Sequence, residues 1–232
     1  MRSARRWLEG LDETAEDRYF RWVRLCDEPT RAGLYADAFL ERLADLASLS
    51  DDDPDPASIL KGALRVASKR DAVTRATIAD LLMYLPCDLL FKVDMASMAH
   101  GLECRSPFLD HRAVELALSM PIARKLRPRP GGSKVILKRA FADLLPEAIR
   151  RRKKMGFGVP LDRWFRGPLR EELRSVLLDP IAIARGIFRP EAVERLIVEH
   201  ETGSHDHAYR LWALLMLEFW FRRYLDASAG EL

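Results

Sequence analysis

Cysteine is scarce. Cys26, Cys87 and Cys104 are the three in 232 residues. So few, so scattered, exclude a disulfide framework and a cysteine zinc site, and they read as reduced thiols of a cytoplasmic chain. No apolar run approaches the roughly 20 residues of a membrane span, so no membrane partner is expected. The opening MRSARRWLEGLDE is basic but has no apolar core, which argues against a secretory leader. No charge sign dominates: 38 Lys and Arg stand against 35 Asp and Glu, a net +3 with the signs interleaved. That balance points to no nucleic-acid partner. A glycine-rich phosphate loop, HExxH and CxxC are all absent, as is the G-x-S-x-G nucleophile elbow.

What is present is a globular composition, 48% hydrophobic and 31% charged. The length fits one large domain or two small ones. A chain of this size can bury roughly 70% of its unfolded surface and needs no disulfide or metal to hold it. Strand alternation is missing, and apolar residues recur at helical spacing almost throughout. Ile78, Leu81, Leu82 and Leu85 fall at i, i+3, i+4 and i+7, as do Ala113, Leu116, Ala117 and Met120. Leu137, Phe141, Leu144 and Leu145 repeat the pattern, as do Leu169, Leu173, Val176 and Leu177; Val193, Leu196 and Ile197 are a shorter case. Near the C-terminus, Trp212, Leu215, Met216, Phe219, Trp220 and Tyr224 form one stripe, with Leu211, Leu214, Leu217 and Phe221 filling the rest. A helix this apolar is expected to be buried on most sides.

Proline and glycine punctuate the helices. Asp51–Pro56 reads as an acidic surface loop. Pro86 is expected to break one long pattern into two helices, because it lacks an N–H and clashes with the preceding turn. Ser106–Asp110 reads as a short extended segment, and Pro128–Ser133 as a loop whose Ser133 caps the next helix. Pro146 is expected to end that helix, with Arg150 to Pro160 irregular. The expectation is an all-α chain of roughly eight to ten helices.

Three places carry residues suited to chemistry. In the first, Lys92, Asp94, Glu103, Arg105 and Asp110 sit in an apolar, proline-kinked stretch. Residues i and i+2 of an extended segment point the same way, so Glu103 and Arg105 can join one network. A plain ion-pair cluster, with Asp110 as N-cap of the following helix, explains the same residues. In the second, Arg150-Arg151-Arg152-Lys153-Lys154 runs into Met155-Gly156-Phe157-Gly158. Such a run can bind nucleic acid, though one short run on a chain of net +3 is thin support for it; it can also hold a phosphate, or be a solvated charged face. In the third, His205 and His207 flank Asp206 after Gly203 and Ser204. Two histidines alone do not make a metal site, and the segment reads as a loop with a helix cap. No residue is assigned as a metal ligand.

The segment Lys92-Val93-Asp94-Met95-Ala96-Ser97-Met98-Ala99-His100-Gly101-Leu102-Glu103-Cys104-Arg105-Ser106-Pro107-Phe108-Leu109-Asp110 resembles the K-x-D-x-x-[ST]-M-x-x-x-x-E-x-R-x-P-F-L-D hallmark of glutamine-hydrolysing asparagine synthetases. Arg152 to Pro160, followed by Trp164, resembles that family's R-x-K-x-G-F-G-V-P segment. The helices from about Arg18 to Leu225 are similar more loosely.

The resemblance implies a fold and an activity. In the family, an N-terminal glutaminase domain with a cysteine nucleophile releases ammonia. An α/β adenine-nucleotide-binding synthetase domain then adenylates the aspartate side chain with ATP and Mg2+, and ammonia attacks the β-aspartyl-AMP. By this likeness Lys154 is the active-site lysine that neutralises pyrophosphate and developing charge. Asp94, Glu103, Arg105, Asp110, Gly156 and Phe157 match positions that shape the site. The S-G-G-x-D-S pyrophosphate loop, the S-G-E-G-A-D-E segment and the glutaminase cysteine have no counterpart in these residues. The expectation is therefore a helical C-terminal portion of the synthetase domain, residues 1–226, with a tail at 227–232, inactive by itself and needing an N-terminal portion or partner subunit. The alternatives are an inactive helical binding module, or a subunit of a related amidotransferase acting on another acid.

Overall fold

A computed structural model describes residues 12–48, 56–128, 131–152, 156 and 158–226. Their regular structure is helical, and pairing outside helices is limited to two isolated bridges, Tyr35 with Phe188 and Leu126 with Ser133. No helix of the described residues is long and apolar enough to cross a membrane. The segments are shorter and more numerous than the sequence suggests. The chain divides into two compact units, Met1–Trp22 with Asp55–Gly156, and Val23–Pro54 with Phe157–Leu232. The expected Asp51–Pro56 loop falls almost wholly outside the described residues, with Pro56 opening a helix, and the 227–232 tail lies outside them too.

In the first unit, helices α1 (Ala15–Val23) and α2 (Pro56–Arg65) pack with α3 (Ala72–Ala79). Leu60, Leu64 and Ala79 form the buried cluster, with Tyr19, Phe20 and Met83 against it. Asp71 starts α3 by accepting from the Val73 and Thr74 amides at 3.1 and 3.0 Å, which satisfies donors that the first helical turn leaves free. Tyr19 donates to Asp80; burial, and then that carboxylate, push the phenol well above its ordinary value.

Pro86 does not break the chain into two helices. From α3 the backbone widens into a π-helical stretch, Asp80–Leu90, and runs straight on into α4 (Phe91–Met98). Proline removes an i→i−4 bond and its ring crowds the carbonyl four residues back. The wider i→i−5 pattern accommodates both faults, and the Phe91 amide donates to the Pro86 carbonyl in that register. The stripe from Ile78 to Leu85 therefore turns with a different period, and Leu82 is left exposed.

Ser133 is not a cap. It pairs with Leu126, and Lys134, in left-handed backbone at φ 57°, occupies the cap position of the Val135–Ala140 helix. That helix ends at Ala140, before Leu144 and Leu145, and Pro146 instead precedes a new helix, Glu147–Arg151. The helix at His111–Ser119 forms as expected, though Leu116 faces solvent.

The second unit holds the larger core. Helices α5 (Leu161–Arg166), α6 (Arg170–Leu177), α7 (Pro190–Glu201) and α8 (Ala208–Phe221) bury Phe165, Leu173, Val176, Leu177, Val193, Leu196, Ile197, Leu211, Leu214 and Leu215. The spacings in α6 and α7 are the expected ones. In α8 the buried face is Ala208, Leu211, Leu214, Leu215 and Glu218, while Trp212, Phe219, Trp220 and Tyr224 of the aromatic stripe remain partly or largely exposed. The expectation of a helix buried on most sides is overturned.

A charge decides which face turns inward. Glu218 is 5% exposed. It takes a fork from Arg185 at 2.7 and 3.1 Å and a third bond from Arg222 at 2.8 Å. Arg185 also holds Asp226 at 2.6 Å and lies 4.7 Å from the Phe221 ring centre. Burial pushes the Glu218 carboxyl up, but the two guanidinium partners outweigh it and hold it below the usual range. The unfolded chain therefore takes up this proton first as pH falls. Its contribution is complete above the unfolded value of about 4.3 and is lost as pH drops through the folded one.

Two substitutions test this packing. Glu218→Gln should destabilise the chain by about 3 kcal/mol at neutral pH, since it leaves buried arginine charge less compensated. Chemical denaturation at pH 7 and pH 4 should show the gap between variant and parent narrowing in acid. Phe165→Ala, at a residue 0% exposed, should cost about 3–5 kcal/mol in the same assay. Phe108→Ala, 69% exposed, should be near neutral.

Candidate functional site

The hallmark segment links two helix ends, and each end is set by one residue. Helix α4 stops at Gly101, whose φ of 65° is left-handed backbone. The Gly101 amide donates to the Met98 carbonyl and the Leu102 amide to the Ser97 carbonyl, both at 3.0 Å. That pair of bonds is the Schellman stop, which uses carbonyls the helix end leaves free. At the far end Asp110 caps the His111–Ser119 helix, accepting from the Arg112 amide at 2.9 Å.

Between them the chain cannot be helical throughout. Pro107 holds Ser106 in extended backbone, φ −114° and ψ 96°. Pro107–Leu109 is one 3₁₀ turn, so the expected extended segment is only partly extended. Upstream, Glu103 and Arg105 share a side, as the i, i+2 spacing requires, and pair at 2.7 Å. The pair is on the surface, 69% and 85% exposed. The sequence suggested charges placed in apolar surroundings; the structure puts them in water, where such a pair adds little stability.

Asp110 is paired as well, with Arg112 at 2.9 and 3.0 Å. The Arg112 side chain, then its amide, hold the Asp110 carboxyl below the usual range. Asp94 is exposed on α4, next to the Lys92–Asp88 pair at 3.2 Å. Its own backbone carbonyl accepts from the Ser97 hydroxyl at 3.2 Å. Glu103–Arg105 and Asp110–Arg112 are thus two separate surface pairs within the segment. Their carboxylates are already engaged by guanidinium groups and do not converge as the oxygen donors of a magnesium ion would.

In the basic run, Arg151 pairs with Glu147 at 2.5 Å within the Glu147–Arg151 helix. Gly156 is exposed and in irregular backbone. Lys154 and Phe157 lie outside the described residues. After Pro160, Leu161 at the start of α5 and Phe165 near its end are buried in the second unit's core.

The Gly203–His207 segment is a turn, as expected, and the fold brings to it a carboxylate that lies six residues before His205 in sequence. Glu199, on the last turn of α7, reaches His207 Nε2 at 2.7 Å. A helical turn plus a tight loop brings the residues together, which linear spacing conceals. The capping carboxylate is Asp206, which accepts from the Ala208 amide at 3.2 Å. Gly101 was the other residue undervalued in the sequence. Its signal was a glycine just past an apolar helical run. Gly101→Ala should destabilise the chain by about 1–2 kcal/mol, because a Cβ is strained in left-handed backbone. Thermal unfolding reads this directly.

Comparison with known proteins agrees with the hallmark. Residues 3–222 match the family described as Asparagine synthase. The chain is 34% identical over 159 residues to a "Putative asparagine synthetase [glutamine-hydrolyzing]" of Mycobacterium bovis, covering 68% of this chain and 24% of that protein. It is 27% identical over 154 residues to "Asparagine synthetase [glutamine-hydrolyzing] 1" of Bacillus subtilis, covering 66% and 24%. For the Gallus gallus asparagine synthetase the figures are 28% over 148 residues, 60% and 26%. No solved structure matches. The chain spans about a quarter of the length of these curated relatives. With nearly its whole length matched and the hallmark folded between two capped helix ends, the chain belongs to the asparagine synthase family.

Proposed function

We propose that this chain is the helical C-terminal portion of an ATP-dependent synthetase that converts aspartate to asparagine. The observation that carries the reading is the folded hallmark: a stop at Gly101, an outward Glu103–Arg105 pair, and Asp110 capping the next helix. In the reaction, an aspartate side-chain oxygen attacks the α-phosphorus of ATP and pyrophosphate leaves. Ammonia released from glutamine then attacks the β-aspartyl-AMP carbonyl, giving asparagine and AMP.

The work assigned to this chain is electrostatic. Lys154 would neutralise the charge that builds on the departing pyrophosphate, where a positioned cation contributes most. An ammonium on a flexible four-carbon stem suits that task as a mobile point charge. Gly156 and Phe157 would shape its loop. Asp94, Glu103, Arg105 and Asp110 would fix the surface beside it without transferring protons. Among the described residues, the acidic groups of the hallmark segment do not gather as a magnesium site, so the ion would rest on groups outside that segment. The reading also calls for an N-terminal portion or partner subunit that brings the nucleotide cradle. Phe91, Met95, Met98, Leu102 and Phe108, each more than half exposed in and after α4, are apolar surface suited to such packing.

Lys154→Ala in the natural polypeptide or complex that carries this sequence tests the assignment. Asparagine formation should fall by about 10²-fold or more while glutamine hydrolysis persists. Unchanged asparagine formation would refute the role given to Lys154.

A further inference from the structure

The turn between α7 and α8 gathers metal-ligating side chains that the proposed synthesis does not use. Glu199, His205 and His207 each offer a ligand atom, and these atoms all lie within 4.8 Å of one another. His207 Nε2 is 2.7 Å and His205 Nδ1 3.8 Å from the same Glu199 oxygen. In tetrahedral zinc sites, bonds of about 2.0–2.1 Å put ligand atoms about 3.3 Å apart. The two separations bracket that value, so side-chain rotation alone can open one and close the other. The two imidazole rings lie nearly parallel, 15° apart with centres at 5.7 Å.

The backbone that carries the ligands is held from several directions. The His207 amide donates to His200 Nδ1 at 3.2 Å, and His200 is fully buried. The Arg166 guanidinium donates to the His200 carbonyl at 2.8 Å. The His205 amide and the Ser204 hydroxyl both donate to the Glu199 carbonyl, at 3.2 and 3.0 Å. Gly203, at φ 76°, makes the reversal. The ligands also stand at the C-terminal end of a 12-residue helix, where the helix dipole favours a cation.

We propose that Glu199, His205 and His207 bind a zinc-class divalent ion that staples the turn joining α7 to α8. Two imidazoles and a carboxylate suit zinc over calcium or magnesium, which prefer all-oxygen sets. Three protein ligands leave the fourth position to water. One rearrangement is required. Arg210 now donates to His207 Nδ1 at 3.1 Å, which keeps the ring proton on Nε2, facing Glu199. On binding, the ion takes the Nε2 lone pair, the proton moves to Nδ1, and the guanidinium turns away. Arg210 keeps its bond to the Leu25 carbonyl at 3.2 Å. No proton is lost in the exchange.

The test uses the full chain, purified without a histidine tag and treated with a chelator. Calorimetric titration with zinc chloride should show one equivalent bound, with a rise in Tm. Cobalt in place of zinc should give a tetrahedral d–d spectrum without a thiolate charge-transfer band. His205→Ala, at a side chain 68% exposed, leaves the fold intact and should weaken binding about tenfold or more. Glu199→Gln should also weaken it. Absent binding in the parent chain, equal binding in the His205→Ala variant, or a thiolate band would each overturn the proposal.

Discussion

The left-handed backbone at Gly101 is the constraint on which the candidate site depends. A helix that begins at Ala72 and passes through a π-helical stretch would carry its side chains on past residue 100 unless something reversed it. Gly101 ends it within one residue, and Pro107 and Asp110 then fix where the next helix can start. Glu103 and Arg105 gain their common orientation from this bracketing, not from burial. The segment's charged groups pair locally on the surface, and its shape comes from the backbone stops at either end.

The two units are stabilised differently. The first has a small buried cluster around Leu60, Leu64 and Ala79, and leaves much of the apolar surface of α4 in water. The second closes a contiguous core around Phe165, Ile197 and Leu211, and spends a buried carboxylate on orienting its last helix. Glu218 shows that one satisfied charge can outweigh several aromatics. Turning Glu218 outward would cost Arg185 and Arg222 the carboxylate they share, leaving them Asp226 and Asp179, whereas turning Trp220 outward forfeits only part of its area. The larger buried cluster thus lies in the unit of Val23–Pro54 and Phe157–Leu232, and the smaller one in the unit that carries the hallmark.

Helical period alone revealed the all-α class and the inward faces of α6 and α7, because those helices bury a single clean stripe. It failed where a local rule met a competing one. Pro86 reads as a breaker, yet a change of helical register absorbs it. The α8 stripe reads as buried, yet the position of Glu218, which hydropathy treats as outward, decides the rotation. Ser133 reads as a cap because its residue type fits, but Lys134 takes that position. Within the candidate site, Asp110 as cap and Glu103 with Arg105 as a pair were legible from spacing. The exposure of that pair was not, since it depends on what the neighbouring helices leave uncovered. Glu199 was hidden because helix geometry and a glycine reversal, not sequence distance, bring it to His207.

On the proposed reading, the protein containing this chain activates the aspartate side chain as an acyl-adenylate. The most direct measurement supplies aspartate labelled with oxygen-18 in its side-chain carboxylate to the natural polypeptide or complex, with ATP and glutamine, and weighs the AMP formed. The account predicts AMP carrying a single oxygen derived from aspartate, formed together with asparagine. Unlabelled AMP, or label appearing in inorganic phosphate alongside ADP, would contradict it.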